Sequence, residues 1–469
     1  MTVVFDLVAV QNRDHGERGI ARYTLQLALE VERQAPGLVD RWLLRRHLPV
    51  PGLLEPILST GRVELFDGDR RRFDTRQGGV FLAGSLFELE QRTETVVPRI
   101  FRDPAWYRMA VLYDLIPSHY PERYLTRYEI RNEYHARIDA LRAMHHVLAI
   151  SETTRDDAKA LLGIPPERVS VIGAGADARF RHHVGGRAAA QADVVARPPV
   201  EGIRPGYVMF PSGLDPRKNI DGMLAAYALL PAELRARHQL LLQFKVTDQQ
   251  KAELRDQAWR MGILDDVLVV GFVSDEDLVR LYQGAELVVF PSLYEGFGLP
   301  VLEAMRCGAP VICSNASSLR EVQLDAAARF DPEDPADIAA VMARVLEDQD
   351  ERDRIAALDP PPWSWESAAE ETIRQIEAGV RDRSAAVRPR RPRVALLTPM
   401  PPQRSGIATY AGHLVEHLRH EVDLTVFVDL DEDPPTPVDG VSIVPTRTFE
   451  GLDAAGRPFD RVVTFMGNS

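Results

Sequence analysis

Two carboxylates, Glu295 and Glu303, bracket a glycine-bearing turn in the segment PSLYEGFGLPVLEAMRCGAPVICSN at residues 291–315. An apolar strand ends at Phe290, and Pro300 falls near the first position of the helix that follows, where its missing N–H is no loss. The unpaired amides and positive end of such a helix hold phosphate oxygens, and Gly296 and Gly298 let a ligand approach the main chain. Carboxylates aimed at phosphates would repel them, so Glu295 and Glu303 are placed to accept hydrogen bonds from sugar and ribose hydroxyls. The combination points to a nucleotide sugar. Taken alone, Glu303 in a first helical turn reads only as compensation of the helix dipole.

Arg217 and Lys218 stand together after a strand and Pro216. Two fixed cations there neutralise a departing diphosphate, whereas a solvated pair at a helix start would oppose the helix dipole. GAGADA at 173–178 fits a dinucleotide-binding spacing, but no periodic apolar helix opens from it, and it reads as a loop.

These groups need a scaffold that brings strand ends together. Short β-branched runs alternate with amphipathic stretches over residues 1–180 and again over 205–362, the rhythm of two Rossmann-like lobes with parallel sheets. Between them, 181–204 is rich in Arg, Ala, Gly, Pro and His without clear period and reads as the inter-lobe connection. Residues 363–380 form a closing helix that Ser364 can cap, and 381–392, basic and proline-bearing, form a linker.

A chain of 469 residues exceeds one ordinary core, and with 45% apolar and 27% charged residues it is a packed globular protein. The formal charge of −13 disfavours nucleic acid as a partner. Two cysteines, Cys307 and Cys313, supply neither a disulfide framework nor a zinc set, which fits a cytoplasmic protein. The N-terminus lacks the basic start of a signal peptide, and no apolar run is long enough to span a bilayer; peripheral contact with the inner face of a membrane stays open.

The segment from Glu295 to Glu303 resembles the E-x7-E signature of family 4 retaining glycosyltransferases, and EGFGLP appears in its usual form. The resemblance extends to SGLDPRKNI at 212–220, YDLIPSHYPERY at 113–124, LAISETTRDDA at 148–158 and SWESAA near 364–369, covering nearly all of residues 1–380. It implies the GT-B fold, a site between the lobes, and transfer of a hexose from a nucleotide diphosphate sugar to a glycan or lipid-linked glycan without metal or cofactor. Surface polysaccharide or O-antigen assembly is the expected setting. It also implies that Glu295 contacts the donor sugar and supports the transition state, with Arg217 and Lys218 as catalytic cations, while Glu303 binds the ribose. The amides of Phe297, Gly298 and Leu299 would face the sugar and diphosphate, with Gly19 approaching the phosphates from the acceptor-side lobe.

Tyr113 departs from the pattern, because many relatives carry a histidine there that touches the donor sugar. Tyr113 with Asp114 reads either as a retained donor contact or as an ordinary strand-end pair in which Asp114 caps a turn. DGD at 67–69 and DLD at 429–431 match the D-x-D metal motif of the other glycosyltransferase fold, but neither lies near the site sequence. A nucleotide-sugar epimerase of the same fold and a non-catalytic binding module are the alternative functions.

Beyond the linker the sequence begins again. Gly406, Ile407, Ala408 and Tyr410 repeat Gly19, Ile20, Ala21 and Tyr23, and TFMGNS ending at Ser469 echoes FLAGS ending at Ser85. Residues 393–469 are therefore expected to be the incomplete N-terminal lobe of a second glycosyltransferase unit, truncated in a tandem protein.

Overall fold

The computed structural model describes residues 2–11, 19–66, 78–87, 97–381, 392–403, 405–419, 421–429, 435–439, 441–449 and 459–465. DGD at 67–69, most of DLD at 429–431, Ser469 and nearly all of the 381–392 linker lie outside them. The chain divides into two compact units, Met1–Ala386 and Val387–Ser469.

Seven strands of the first unit make one parallel sheet: β1 (Thr2–Asp6), β2 (Arg41–Arg45), β3 (Val63–Phe66), β4 (Gly79–Ala83), β5 (Trp106–Leu112), β6 (His146–Ala149) and β7 (Val169–Val171). Their order is β3-β2-β1-β4-β5-β6-β7. Six more make a second: β8 (Val208–Phe210), β9 (Leu240–Gln243), β10 (Val267–Val270), β11 (Leu287–Phe290), β12 (Val311–Ser314) and β13 (Arg329–Phe330), in the order β10-β9-β8-β11-β12-β13. A parallel sheet is covered on both faces, so its strands are apolar throughout. In β1, Val3 and Phe5 enter one core and Val4 another, and in β8 Met209 points opposite to Val208 and Phe210.

The region read as an irregular connection contains a helix, Gly186–Ala196, with Ala190 and Val194 buried, packed on helix Asp275–Gly284 of the second lobe. Its short apolar stripe is diluted in sequence by the flanking Gly, Arg and His. At the end of the unit, helix Trp365–Arg381 returns to pack on Gly19–Gln34 of the first lobe. Its cap is Ser364, whose Oγ accepts from Ser367 N at 3.1 Å. Trp363 and Trp365 explain the glycines of GAGADA: a β-carbon on Gly173 would lie 2.3 Å from the Trp363 ring, and one on Gly175 2.3 Å from the Trp365 amide. No ligand loop is needed to account for them.

The second unit holds β14 (Arg393–Leu397), β15 (Asp423–Val428), β16 (Ser442–Pro445) and β17 (Arg461–Thr464), parallel and in the order β16-β15-β14-β17. This is the order of β3-β2-β1-β4, and helix Gly406–Leu418 occupies the place of Gly19–Gln34 between the first two strands of each. Among the described residues no helix is long and apolar enough to cross a membrane.

Candidate active site

The carboxyl ends of the two sheets of the first unit meet at the EGFG loop. Gly296, after β11, lies against the end of β5: a β-carbon there would stand 2.2 Å from the Tyr113 carbonyl oxygen and 3.1 Å from Asp114 Cβ. Ser151 Oγ, after β6, donates to Gly296 O at 2.6 Å, and Thr154 Oγ1 does so at 3.2 Å. The bare face of Gly298 (φ +107°) is closed by Leu319, 2.6 Å from an added β-carbon. At both glycines the β-carbon direction is thus taken up by protein.

Glu295 is buried and holds two cations at once. Arg217 Nη1 donates to Oε2 at 2.7 Å and Lys218 Nζ to Oε1 at 2.6 Å. Burial pushes this carboxyl up, but Lys218 and Arg217 outweigh it and hold it down at about 2. Lys218 Nζ also lies 5.2 Å from the centre of the Phe290 ring, a cation–π contact. Arg217 Nη1 further donates to Tyr294 O at 3.2 Å.

The cations are placed by a single 3-10 turn, Pro216–Lys218, stopped by Asn219 in the left-handed region (φ 59°, ψ 45°). Asn219 caps helix Ile220–Leu229 through Gly222 N, and its Nδ2 donates to Pro291 O and Pro332 O at 3.1 and 2.7 Å. On the other side, Ser317 (φ 46°) accepts from Glu295 N at 2.8 Å, and Ser318 Oγ donates to the carbonyls of Glu295 and Phe297, both at 2.9 Å. Asn219 and Ser317 are the two non-glycine residues with positive φ among those described, and both brace this cluster.

Glu303 lies in the second turn of helix Leu299–Arg306, not the first, so compensation of the helix dipole does not explain it. Burial pushes its carboxyl up to about 7, with Asp275 and Asp177 adding and Arg22 and Arg179 opposing. Arg22, one turn beyond Gly19 on helix Gly19–Gln34, brings the first lobe into Glu303's field. Gly19 itself (φ +54°) opens that helix, and among the described residues no atom lies within 4 Å of where its β-carbon would stand.

The side chains of Tyr113 and Phe297 both turn into protein. Tyr113 is buried in the first lobe: its hydroxyl donates to Gly84 O at 2.8 Å, lies 2.8 Å from Thr24 Oγ1, and its ring packs edge-on against Tyr23. A phenol is longer than an imidazole and reaches past the strand end into this core. Phe297 also sends its side chain inward, 6.1 Å from the Trp363 ring, leaving its amide as the group at the turn. Asp114 accepts from Ile116 N at 3.1 Å, as a turn cap does, and burial raises its carboxyl while Arg217 opposes. Among the described residues no cluster of three or more His, Cys, Asp or Glu is placed to hold a metal ion.

The structure adds residues that sequence reasoning missed. Tyr124 OH donates to Asp215 Oδ1 at 2.5 Å, and Asp215 in turn accepts from Arg217 N at 3.1 Å. Glu321 accepts from the amides of Glu152 and Thr153 at 2.9 and 2.8 Å, joining the second lobe to the start of helix Glu152–Leu162. His119, Asp157 and Tyr294 form a further cluster beside Glu295. Only the unusual density of Tyr, His and carboxylates in YDLIPSHYPERY and TTRDDA hinted at these contacts.

Residues 199–357 match the family model described as Glycosyl transferases group 1. The chain is 35% identical over 247 residues to the serotype-specific mannosyltransferase WbdA of Escherichia coli, covering 52% of this chain and 30% of that protein. It is 35% identical over 241 residues to the O-antigen chain mannosyltransferase B of Escherichia coli, covering 48% and 59%. The chain thus spans from under a third to about three-fifths of these curated relatives. Among solved structures, sucrose-phosphate synthase from Thermosynechococcus elongatus superposes with a TM-score of 0.60 at 19% identity, over 81% of this chain and 99% of that one. Anabaena HepE in complex with UDP and glucose gives 0.55 at 16%, over 82% and 100%. The first unit has their GT-B-like architecture of two Rossmann-like lobes.

Proposed function

We propose that the first unit is a retaining, metal-independent glycosyltransferase that moves a hexose from a nucleotide diphosphate sugar to a hydroxyl of a glycan or lipid-linked glycan. The observation that carries this reading is Glu295, ionised and buried between Arg217 and Lys218 at the mouth of helix Leu299–Arg306, whose N-cap Gly298 offers no side-chain cap. In the reaction the bond from the anomeric carbon to the diphosphate breaks, the acceptor oxygen bonds to that carbon on the same face, and its proton passes to a donor phosphate oxygen. Arg217, Lys218 and the amides of Phe297, Gly298 and Leu299 take up the charge growing on the diphosphate. As the cations turn to that anion, the Glu295 carboxylate regains its field toward the positive charge growing on the sugar. Glu303, with Arg22 and Gly19 across from it, serves the ribose and phosphates.

In this reading residues 1–180 form the acceptor side, 205–362 the donor side, 181–204 the connection, 363–380 the closing helix and 381–392 the linker. Residues 393–469 repeat the opening half of the acceptor lobe, supported by the GIA-x-Y match and the shared strand order. Similarity to two mannosyltransferases supports a mannose-type donor and a polysaccharide or O-antigen acceptor. The test is a panel of GDP-mannose, UDP-glucose and a dTDP-sugar scored for thermal stabilisation, then for nucleotide diphosphate release with and without mannose oligosaccharide. One donor should stabilise the protein and be consumed only with acceptor. Release without acceptor identifies an epimerase-type reaction, and stabilisation by no donor overturns the reading.

A further inference from the structure

We propose that His119 is an acceptor-binding residue, whose imidazole Nδ1 takes a hydrogen bond from a hydroxyl of the incoming sugar. The inference rests on the transferase reading and names a contact for its second substrate. His119 ends the short helix Ile116–His119, which follows β5. Its Nε2 lies 2.9 Å from Asp157 Oδ1, while Tyr294 OH donates to Asp157 Oδ2 at 2.5 Å. The His119 and Tyr294 rings lie 4.5 Å apart, inclined at 35°. Tyr294 immediately precedes Glu295, and its carbonyl accepts from Arg217.

An ionised carboxylate only accepts, so Asp157 requires a proton on Nε2. In the neutral imidazole that fixes the tautomer and leaves Nδ1 with an open lone pair. Among the described residues Nδ1 has no hydrogen-bond partner, and the side chain is 28% exposed. A residue needed only to brace Tyr294 would not require this second nitrogen. A groove of about 640 Å³, lined by Ser118, Pro121, Glu122, Arg131 and His135, begins at the residue before His119 in the chain. Its hydroxyl, carboxylate and guanidinium are groups of the kind that bind sugar hydroxyls.

Two substitutions separate contact from bracing. His119→Gln keeps a donor near the Nε2 position for Asp157 and removes Nδ1, whereas His119→Ala removes both. With mannose oligosaccharide as acceptor, both should raise the acceptor KM about tenfold, the loss of one hydrogen bond. The donor KM and the affinity for GDP should stay within about twofold. If Gln restores the wild-type acceptor KM where Ala does not, His119 only braces Tyr294 and the proposal is overturned. A second readout does not depend on turnover: in the 15N-labelled full chain the His119 Nδ1 resonance should have the unprotonated position and shift when methyl α-mannoside is added. A protonated Nδ1 in the neutral ring, or a signal unmoved at saturating sugar, refutes the contact even where transfer is observed. Failure of the wild type to bind any sugar nucleotide instead strikes at the transferase reading alone.

Discussion

Replacing Glu295 by Gln removes the charge that holds Arg217 and Lys218 together. The Glu295 carboxyl is held at about 2 against an ordinary value of 4.5. At roughly 1.4 kcal/mol per pH unit, its ionised form contributes about 3 kcal/mol to the folded state. The pKa is depressed, so this stability is present in full above about pH 4.5 and is lost as the pH falls toward 2. Urea denaturation at pH 7 should therefore find Glu295→Gln less stable than wild type by about 3 kcal/mol, within the range for breaking a buried ion pair. The gap should narrow as both proteins are taken below pH 4.5. A diphosphate supplies the missing negative charge, so GDP should stabilise the variant more than it stabilises wild type, while turnover collapses because the carboxylate toward the sugar is gone. Equal stability of the two proteins at pH 7, a gap that does not narrow in acid, or loss of GDP binding would each refute the reasoning.

Burial raises the Glu303 carboxyl to about 7, so its protonated form is favoured in the fold and its stabilising effect is lost as pH rises through 7. Calorimetric affinity for GDP should fall below pH 7 in wild type, because a ribose hydroxyl is accepted best by the ionised group, and should be flat with pH in Glu303→Gln. Arg217→Ala with Lys218→Ala strands a buried carboxylate; combined with Glu295→Gln the triple variant should fold by circular dichroism yet bind GDP at least a hundredfold more weakly, and near-normal binding would remove the cations from the site. Ser317→Gly relieves the strained backbone but deletes the acceptor for Glu295 N, so stability should change by less than about 1 kcal/mol while kcat falls several-fold at unchanged donor KM. Ser317→Ala keeps the strain and should be the less stable of the two by denaturation.

The EGFGLPVLE turn was legible because its glycines, proline and carboxylates are contiguous, and the alternating apolar runs announced two parallel sheets. Contacts between distant segments were not. Ser317 meets Glu295 across 22 positions and Tyr124 meets Asp215 across 91, and nothing in either segment names its partner. In sequence Tyr113 reads equally as a donor contact or an ordinary strand-end residue, and its burial depends on Tyr23 and Thr24 of helix Gly19–Gln34 and on Gly84, all distant in the chain. The helix starts at Leu299, one residue before Pro300, and that small shift puts Glu303 in its second turn, beyond the dipole's strongest influence and in a buried field.

The stacking of Trp363 and Trp365 over Gly173 and Gly175 gives the protein an optical vantage point. Trp42 and Trp106 are sealed in the first lobe and Trp259 is largely exposed on the second, so those three indoles report a fixed interior and bulk water. Trp363 and Trp365 sit where the returning chain lies against the exit from the first lobe, with Phe297 of the EGFG turn beside one ring and Tyr23 beside the other. Any rotation of one lobe against the other on nucleotide binding changes what surrounds these two rings. Their emission is a built-in gauge of lobe movement that needs no label, readable in single-tryptophan variants that retain Trp363 or Trp365.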